Sequence, residues 1–206
     1  KTAQQSYDFI EHYEIIFMAV FVILVILLVL YIVHENYRRD QELMKYAQTD
    51  ALTGLYNKET TKLRTDEILS TDKDMIHAFL ILDMDCFKQI NDGYGHAVGD
   101  IVLQKFGQLL RDIFREDDIV GRIGGDEFVV VMKNIKMKEM AIAKAEELLT
   151  KTQQYEIKEL NGSAISISIG IAMAPEDGDC YMDLYKRADQ ALYQAKRSGK
   201  ARVCGY

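Results

Sequence analysis

The sequence predicts an α/β fold in which helices flank a mainly antiparallel sheet, preceded by one long apolar segment. Between Asp50 and Tyr206 the predicted elements follow the order α, β, α, β, β, α, β, α, β. Strands and helices mixed in this order predict a sandwich with a ferredoxin-like βαββαβ core. With 206 residues, the chain is long enough for one such domain and an additional element.

The individual elements follow from local patterns of apolar and turn-forming residues. Asn57 is a typical capping residue for a first helix that ends near Leu69. The adjacent Gly124 and Gly125 stand between two β-branched runs and predict a two-residue hairpin with positive φ at both glycines. The elements after the first helix are, in order, the strand HAFLILDMD, the helix HAVGDIVLQKFGQLLRDIF, the strands Ile119–Ile123 and Glu127–Met132, the helix MKEMAIAKAEELLTKTQ, the strand SAISISIGIAMA, the helix YMDLYKRADQALYQAKRSG and the strand ARVCGY.

The apolar segment EIIFMAVFVILVILLVLYIV, residues 14–33, predicts a transmembrane helix. About 20 residues at ~1.5 Å each cover the ~30 Å hydrocarbon core of a bilayer. A helix buried in a soluble domain of this size would be apolar on one face only. A signal peptide would carry a basic flank before the segment and a small-residue cleavage site after it, and neither is present.

The charges on the two flanks predict the orientation of this helix. Acidic residues precede it, and Arg38, Arg39 and Lys45 follow it, so the C-terminal side is expected in the cytoplasm. Residues 1–13 are then an extracytoplasmic lead-in. Because the chain begins with Lys1 and not with Met, we expect it to be a fragment.

Residues 34–49 predict a polar helical stalk. Apolar residues and one acid recur there at alternating four- and three-residue steps, at Val33, Tyr37, Asp40, Met44 and Ala47. This spacing fits a weak coiled-coil seam and fits a single exposed linker helix equally well.

The net charge limits the kind of ligand the protein can bind, and the cysteine spacing indicates the state of the thiols. A net charge of −7 argues against a nucleic-acid polymer, which requires a basic face. It permits a small phosphorylated ligand held through a cation. The three cysteines show no metal-ligand spacing and are expected to be reduced thiols.

Two acidic clusters stand at predicted strand ends. Asp83 and Asp85 end the first strand, and Asp126 and Glu127 follow the paired glycines. A single acidic pair at a hairpin tip is usually only solvated. If the first strand lies beside the hairpin, however, Asp83 and Asp126 approach each other and repel unless a hard divalent cation such as Mg²⁺ neutralises them. The glycines would then allow a nucleotide to approach the backbone closely.

Five motifs in order resemble those of one enzyme family. They are DALTGLYNK (50–58), DMDCFKQIND (83–92), GHAVGD (95–100), GRIGGDEF (121–128) and YQAKRSGK (193–200). Residues 48–206 resemble a GGDEF-domain diguanylate cyclase, so the domain is placed at 50–206. The resemblance implies a fold similar to the palm of nucleotide cyclases, which agrees with the order of elements above.

The resemblance implies a metal site and a catalytic pair. Asp83, Asp126, Glu127 and the carbonyl of Met84 would bind two Mg²⁺ or Mn²⁺ ions per active site. Asp126 and Glu127 would be the catalytic residues. Asp85 matches no ligand position and is expected to be a structural acid beside the ligands.

The resemblance also implies the residues that bind GTP. Asn91 and Asp100 would recognise guanine, because a carboxylate that accepts from its N1–H and amino group mismatches adenine. The phosphates and ribose would meet the backbone of Cys86, Phe87, Gly124 and Gly125 and the side chains of Lys88, Lys196 and Lys200. Lys58 and Lys200 replace arginines that the family usually has, and lysine makes no bidentate phosphate contact, so GTP binding is expected to be weaker.

The implied reaction joins two GTP molecules into cyclic di-GMP and releases pyrophosphate. Each domain would bind one GTP, so a two-fold homodimer is expected. The protein would be a single-pass signalling cyclase of the bacterial inner membrane with its catalytic domain in the cytoplasm. The alternatives are a module that binds GTP or cyclic di-GMP without turnover, or a purely structural segment. The intact acids favour the enzyme.

A further pattern, Arg115-x-x-Asp118, precedes Gly124 by nine residues. In the family this spacing marks an inhibitory product site, where arginine contacts phosphate or guanine edges bidentately. Arg122 matches a further arginine near that site. The other interpretation is a set of ordinary charges at a helix end.

Overall fold

The computed structural model describes residues 17–18, 20–39, 48–160 and 164–206, which fall into two units, Lys1–Ala47 and Gln48–Tyr206. In the first unit, helix α1 (Val20–Arg39) has 20 residues and a mean hydropathy of 2.2, and none of its most apolar window is buried. Its length and composition suit a membrane span, although a single helix of this kind is weak support for one. The lead-in at 1–13 and the seam residues Asp40, Met44 and Ala47 lie outside the described residues.

The second unit contains the predicted helices and strands in the predicted order, with one further helix, Phe87–Tyr94, after the first strand. Asn57 caps the first helix by accepting a hydrogen bond from the Thr60 amide, at 3.0 Å. The elements are α2 (Lys58–Thr71), β1 (Ile76–Met84), α3 (Phe87–Tyr94), α4 (His96–Ile113), β2 (Ile119–Arg122), β3 (Glu127–Ile135), α5 (Lys138–Gln154), a 3₁₀ turn (Lys158–Leu160), β4 (Ile167–Ala174), α6 (Tyr181–Arg197) and β5 (Val203–Gly205).

The five strands form one sheet in the order β2-β3-β1-β4-β5. β1 is central and pairs antiparallel with β3 and β4, while β5 runs parallel to β4. β2 pairs antiparallel with β3. This arrangement confirms the predicted palm with its mainly antiparallel sheet.

The two faces of the sheet are covered by different helices. On one face Phe106 of α4 packs edge-on against Phe128 of β3, with ring centroids 4.9 Å apart. α3 and α5 contribute to the same apolar cluster. On the other face Tyr181 of α6 packs edge-on against Phe79 of β1, at 5.4 Å. Side chains alternate along β1, so every second residue faces α6.

α6 lies unusually close to β4 because Gly170 carries no side chain. A Cβ on Gly170 would come within 2.1 Å of the Ala188 carbonyl oxygen and 2.4 Å of the Leu192 amide nitrogen. Both contacts are with backbone atoms, which cannot move aside by a change of rotamer as a side chain can. This close packing fixes where the last turns of α6 reach the end of the sheet.

The predicted two-residue hairpin across Gly124 and Gly125 is wrong. β2 ends at Arg122, and a four-residue loop leads to β3, with the amides of Ile123 and Gly124 donating to the Glu127 carbonyl. The glycines with positive φ in the described chain are Gly54, Gly95 and Gly199. A Cβ on Gly124 would lie 2.8 Å from the Glu127 carboxylate, so a larger residue there would displace that side-chain end.

Candidate active site

The pairing of β1 with β3 brings the two acidic clusters together. Asp83 lies opposite Glu127 in the antiparallel register, and the Met84 amide donates to the Asp126 carbonyl at 3.2 Å. The side chain of Asp83 is buried, and those of Asp126 and Glu127 are half-buried. The predicted approach of Asp83 to Asp126 therefore occurs at one end of the sheet.

The acids at this end destabilise one another's charged forms. Burial raises the pKa of Asp83, and the negative charges of Asp126 and Asp85 raise it further. Burial also raises the pKa of Glu127, and the charges of Asp83 and Asp126 add to the effect. An acidic cluster of this kind favours a cation as its partner.

Lys196 supplies one positive charge to this cluster. It stands in the last turn of α6, and its Nζ lies 2.7 Å from Oδ2 of Asp83. The family resemblance implies a place for Lys196 beside the substrate phosphates, whereas in this structure its ammonium group pairs with the Asp83 carboxylate. The reason is the close packing of α6 on β4, which directs the end of the helix over the end of β1.

The chemistry of the donors fits a hard divalent cation. The carboxylates of Asp83, Asp126 and Glu127 and the Met84 carbonyl offer only oxygen atoms, which Mg²⁺ and Mn²⁺ prefer. Within the described residues, the three side chains that bring potential ligand atoms within 4.8 Å of one another are Asp179, Cys180 and Asp183, at the start of α6. The carboxylate oxygens of Asp83, Asp126 and Glu127 are therefore not all within 4.8 Å of one another, so they stand farther apart than the ligands of one bound ion.

Asp85 has a structural role, as its lack of a ligand match predicted. Its carboxylate accepts hydrogen bonds from Ser166 Oγ at 2.6 Å, Ser168 Oγ at 2.8 Å and the Ala201 amide at 3.1 Å. These bonds tie the end of β1 to the start of β4 and to the turn before β5. Sequence reasoning missed the two serines, although their alternation at the start of a strand was a visible signal.

The turn between β1 and α3 is the predicted phosphate-binding segment. Cys86 there has a left-handed backbone, with φ of 59°. α3 begins at Phe87, so the amides of its first turn point away from the helix, as they do at any helix N-terminus. The Nζ of Lys200 lies 3.2 Å from the Cys86 sulfur. Lys88 is exposed on α3. The two lysines thus come to this turn from positions far apart in the chain.

The predicted guanine-binding pair stands where α3 and α4 meet. Asn91 belongs to α3 and the exposed Asp100 to α4, with Gly95 between the helices. A Cβ on Gly99 would lie only 2.0 Å from Oδ1 of Asn91, so the Asn91 side chain rests on the Gly99 backbone, next to Asp100. Sequence reasoning missed Gly99, although a glycine inside a helix signals a close contact.

Of the predicted product-site residues, Arg115 and Asp118 line one cavity, and Arg122 is not among its lining residues. The buried Asp118 carboxylate accepts from the backbone amides of Arg115 and Lys133, each at 3.0 Å. Arg122 donates to Asp50 at 3.0 Å and to the Gly125 carbonyl at 2.8 Å. Asp118 and Arg122 are therefore engaged in bonds within the domain.

Arg115 is exposed and borders, together with Glu116 and Asp118, a cavity of about 380 Å³ between the segment before α2 and the end of α4. Arg111 lines the same cavity and donates to the Thr53 carbonyl at 2.9 Å. The sequence analysis did not select Arg111. Two guanidinium groups at one cavity suit an anionic or guanine-containing ligand.

Asp50 supports the glycine loop from the start of the domain. Burial opposes ionisation of Asp50, but hydrogen bonds from Thr53 and Arg122 outweigh it and lower the pKa below 3.8. Arg122 in turn holds the Gly125 carbonyl. The loop that carries Asp126 is thus tied to the segment that enters the domain, a link that sequence reasoning missed.

Comparison with known proteins agrees with this geometry. The family model described as "Diguanylate cyclase, GGDEF domain" matches residues 47–202. Diguanylate cyclase DgcS of Shewanella oneidensis is 36% identical over 168 residues, which are 80% of this chain and 55% of that protein. Response regulator PleD of Caulobacter vibrioides is also 36% identical over 168 residues, which are 79% of this chain and 37% of that protein. The chain spans little more than half, or less, of these relatives.

Solved structures show the same fold. A structure of the GGDEF domain of TpbB (YfiN) from Pseudomonas aeruginosa has a TM-score of 0.71 at 35% identity, covering 76% of this chain and 93% of that one. The GGDEF domain of DgcB from Caulobacter crescentus, in complex with c-di-GMP, has a TM-score of 0.71 at 26% identity, covering 77% and 95%. The family model covers well over half of the sequence, and the chain therefore belongs to the GGDEF-domain diguanylate cyclase family.

Proposed function

We propose that the protein condenses two GTP molecules into cyclic di-GMP and releases pyrophosphate. The observation that carries this proposal is the register of β1 and β3, which sets Asp83 opposite Glu127 with Asp126 beside them. Asp83, Asp126 and Glu127 are all present, and α3, which carries Asn91, begins directly after the end of β1.

Asp83, Asp126, Glu127 and the Met84 carbonyl would hold two Mg²⁺ or Mn²⁺ ions. Such ions neutralise the triphosphate and stabilise the charge that develops during transfer. Glu127 would accept the proton of the attacking 3′-hydroxyl, since its carboxylate stands at the end of the sheet opposite Asp83. Lys196, which pairs with Asp83, would exchange part of that contact for the substrate phosphates.

Asn91 and Asp100 would select guanine over adenine. The Asn91 side chain lies against Gly99, which holds its amide in place beside Asp100. The phosphates would lie along the turn at Cys86 and Phe87, with Lys88 and Lys200 at its borders. Gly124 and Gly125 would allow the ribose and α-phosphate to approach the loop.

Three further features would adapt this activity to signalling. Each domain would bind one GTP, so reaction would require a two-fold homodimer. Helix α1 would anchor the chain in a bacterial inner membrane, with the domain on the cytoplasmic side that the basic flank indicates. Cyclic di-GMP would bind beside Arg115 and inhibit, because the cavity there presents two arginines.

Removal of the Asp126 carboxylate should abolish synthesis of cyclic di-GMP. The variant Asp126→Ala removes a metal-binding oxygen pair, whereas Asp74→Ala removes an exposed acid before β1. Product formed from GTP and Mg²⁺ by the purified chain is measured by chromatography. Turnover by Asp126→Ala at the Asp74→Ala rate would remove Asp126 from the mechanism, and GTP binding without any product from the wild type would favour a non-catalytic module.

A side chain at Gly99 should impair GTP recognition without unfolding the domain. In Gly99→Ala the new Cβ displaces the Asn91 amide, which is a rotatable side-chain end, so we expect the affinity for GTP to fall about tenfold. Gly93→Ala is the control, because a Cβ there meets nothing within 4 Å. Calorimetric titration with a non-hydrolysable GTP analogue measures both, and equal affinities would show that Gly99 does not position Asn91.

The orientation in the membrane can be tested with sealed vesicles. Inverted inner-membrane vesicles should convert added GTP without detergent, because their cytoplasmic face is outward. Right-side-out vesicles should need detergent for the same rate. Detergent-independent activity in right-side-out vesicles would reverse the assigned topology.

Loss of the Arg115 guanidinium should weaken product inhibition. A charge-assisted bidentate contact contributes a factor of about tenfold to a hundredfold in affinity, so Arg115→Ala should raise the inhibitory concentration of cyclic di-GMP by about that factor. Initial rates should stay near those of the wild type. Arg187→Ala, on the exposed part of α6, is the charge-matched control. Superimposable inhibition curves for the two variants would show that Arg115 does not bind cyclic di-GMP and is an ordinary charge at a helix end.

A further inference from the structure

The turn between α6 and β5 contains two successive residues with a left-handed backbone that are not glycine. Lys200 has a φ of 61° and Ala201 a φ of 47°. Residues with a Cβ rarely adopt this conformation, because the Cβ comes too close to the next carbonyl oxygen. They remain in it only where the surrounding structure holds them, and residues held in this way are concentrated at functional sites. The pair therefore depends on contacts from outside the turn.

Asp85 makes one such contact, at Ala201. Its Oδ2 accepts hydrogen bonds from the Ala201 amide at 3.1 Å and from Ser166 Oγ at 2.6 Å. Its Oδ1 accepts from Ser168 Oγ at 2.8 Å. Asp85 is buried and Ser168 lies in β4, so the sheet sets the orientation of the carboxylate. The Ala201 amide is thus held at a fixed place relative to the end of β1.

A second contact lies beside the first, between the neighbouring residues of the two segments. Cys86 follows Asp85, and its sulfur lies 3.2 Å from Nζ of Lys200, which precedes Ala201. Cys86 also has a left-handed backbone, with a φ of 59°. The turn after α6 is therefore held against the turn after β1 by the backbone of Ala201 and by the side chain of Lys200. The turn after β1 is the segment proposed above to bind the GTP phosphates.

The backbone position of Lys200 decides whether its side chain reaches this segment. The side chain is exposed, and its stem is flexible. A sulfur atom is a weak hydrogen-bond acceptor, whereas phosphate oxygens are strong ones, so an ammonium group at this place would bind a phosphate in preference to the thiol. If Ala201 left its left-handed conformation, the chain would turn differently and would carry Lys200 away from Cys86.

We propose that Asp85 is a positioning residue for GTP, because its bond to the Ala201 amide keeps Lys200 at the phosphate-binding turn. This inference rests on the proposed function, which places the phosphates at Cys86 and Phe87. Asp85 itself touches neither the substrate nor the metal ions in this scheme. Its effect on GTP affinity passes entirely through Lys200, and the strained backbone of the turn makes that effect depend on the bond to Ala201.

Substitutions at Ala201 test the dependence on backbone conformation in the full chain. Ala201→Val disfavours the left-handed conformation and should lower the affinity for a non-hydrolysable GTP analogue about tenfold, whereas Ala201→Gly permits it and should stay within about twofold of wild type. Asn134→Val is the matched control, because Asn134 is exposed, has a φ of 49° and lies near the end of β3 away from the acids. Calorimetric titration measures all three.

Two results of this comparison would overturn the proposal. Equal affinities for Ala201→Val and Asn134→Val would show that the conformation of the turn does not affect GTP binding. An equal loss for Ala201→Gly and Ala201→Val would show that the methyl group of Ala201 matters and its backbone conformation does not.

A double-mutant cycle tests whether Asp85 acts through Lys200. Lys200→Gln and Asp85→Ala should each weaken analogue binding about tenfold, and the double variant should bind within about twofold of Lys200→Gln alone. A double variant that shows the product of the two single losses would overturn the proposal, as would Lys200→Gln with the affinity of the wild type. If thermal unfolding shows that Asp85→Ala does not fold, Ala201→Val replaces it in the cycle, since it disturbs the same contact.

These titrations measure binding and need no turnover, so the two proposals can fail separately. A wild type that binds the analogue and shows the coupling, but forms no cyclic di-GMP from GTP and Mg²⁺, would refute the proposed function and support the role of Asp85. A wild type that forms cyclic di-GMP but shows independent effects of Asp85 and Lys200 would support the function and refute the role of Asp85.

Discussion

The antiparallel pairing of β1 with β3 is the constraint on which the site depends. Its register sets Asp83 opposite Glu127, and Asp126 follows in the adjoining loop. A slip of one residue would turn Asp83 to the opposite face of the sheet, away from α6 and Lys196. The register is secured by the burial of β1 on both faces, since its apolar side chains meet α4 on one side and α6 on the other. The stability of the core thus maintains the geometry of the acids.

Neighbouring elements offset the repulsion between the acids at this end of the sheet. Lys196 reaches Asp83 because Gly170 lets α6 lie close to β4. Asp85, only two residues along, is fully engaged with two serine hydroxyls and a backbone amide. One acid of the DMD segment, Asp83, therefore pairs with Lys196 at the end of the sheet, while Asp85 joins three segments of the chain. Neighbouring acids in one motif have different roles because their environments differ.

The segment around Arg115 makes bonds within the domain and also borders a cavity. Asp118 closes the turn after α4 and binds the backbone of β3, and Arg122 links the glycine loop to Asp50. These bonds would be needed for folding whether or not a ligand binds nearby. Arg111 and Arg115 remain at the cavity beside them. The cavity is joined to the loop of Asp126 through Arg122, whose amide donates to the Tyr56 carbonyl and whose guanidinium donates to the Gly125 carbonyl.

The sequence by itself determined the order of the elements, the cap at Asn57 and the acidic clusters at strand ends, because these depend on local periodicity and on short motifs. It also indicated the family. The tertiary structure decided which acid pairs with Lys196, why Gly99 and Gly170 are glycines, and that Gly124 and Gly125 form a wider loop than a two-residue turn. Those features are contacts between residues far apart in the chain, which local patterns do not encode. Glycine in particular signals either a special φ or a lack of space, and only the packed neighbours distinguish the two.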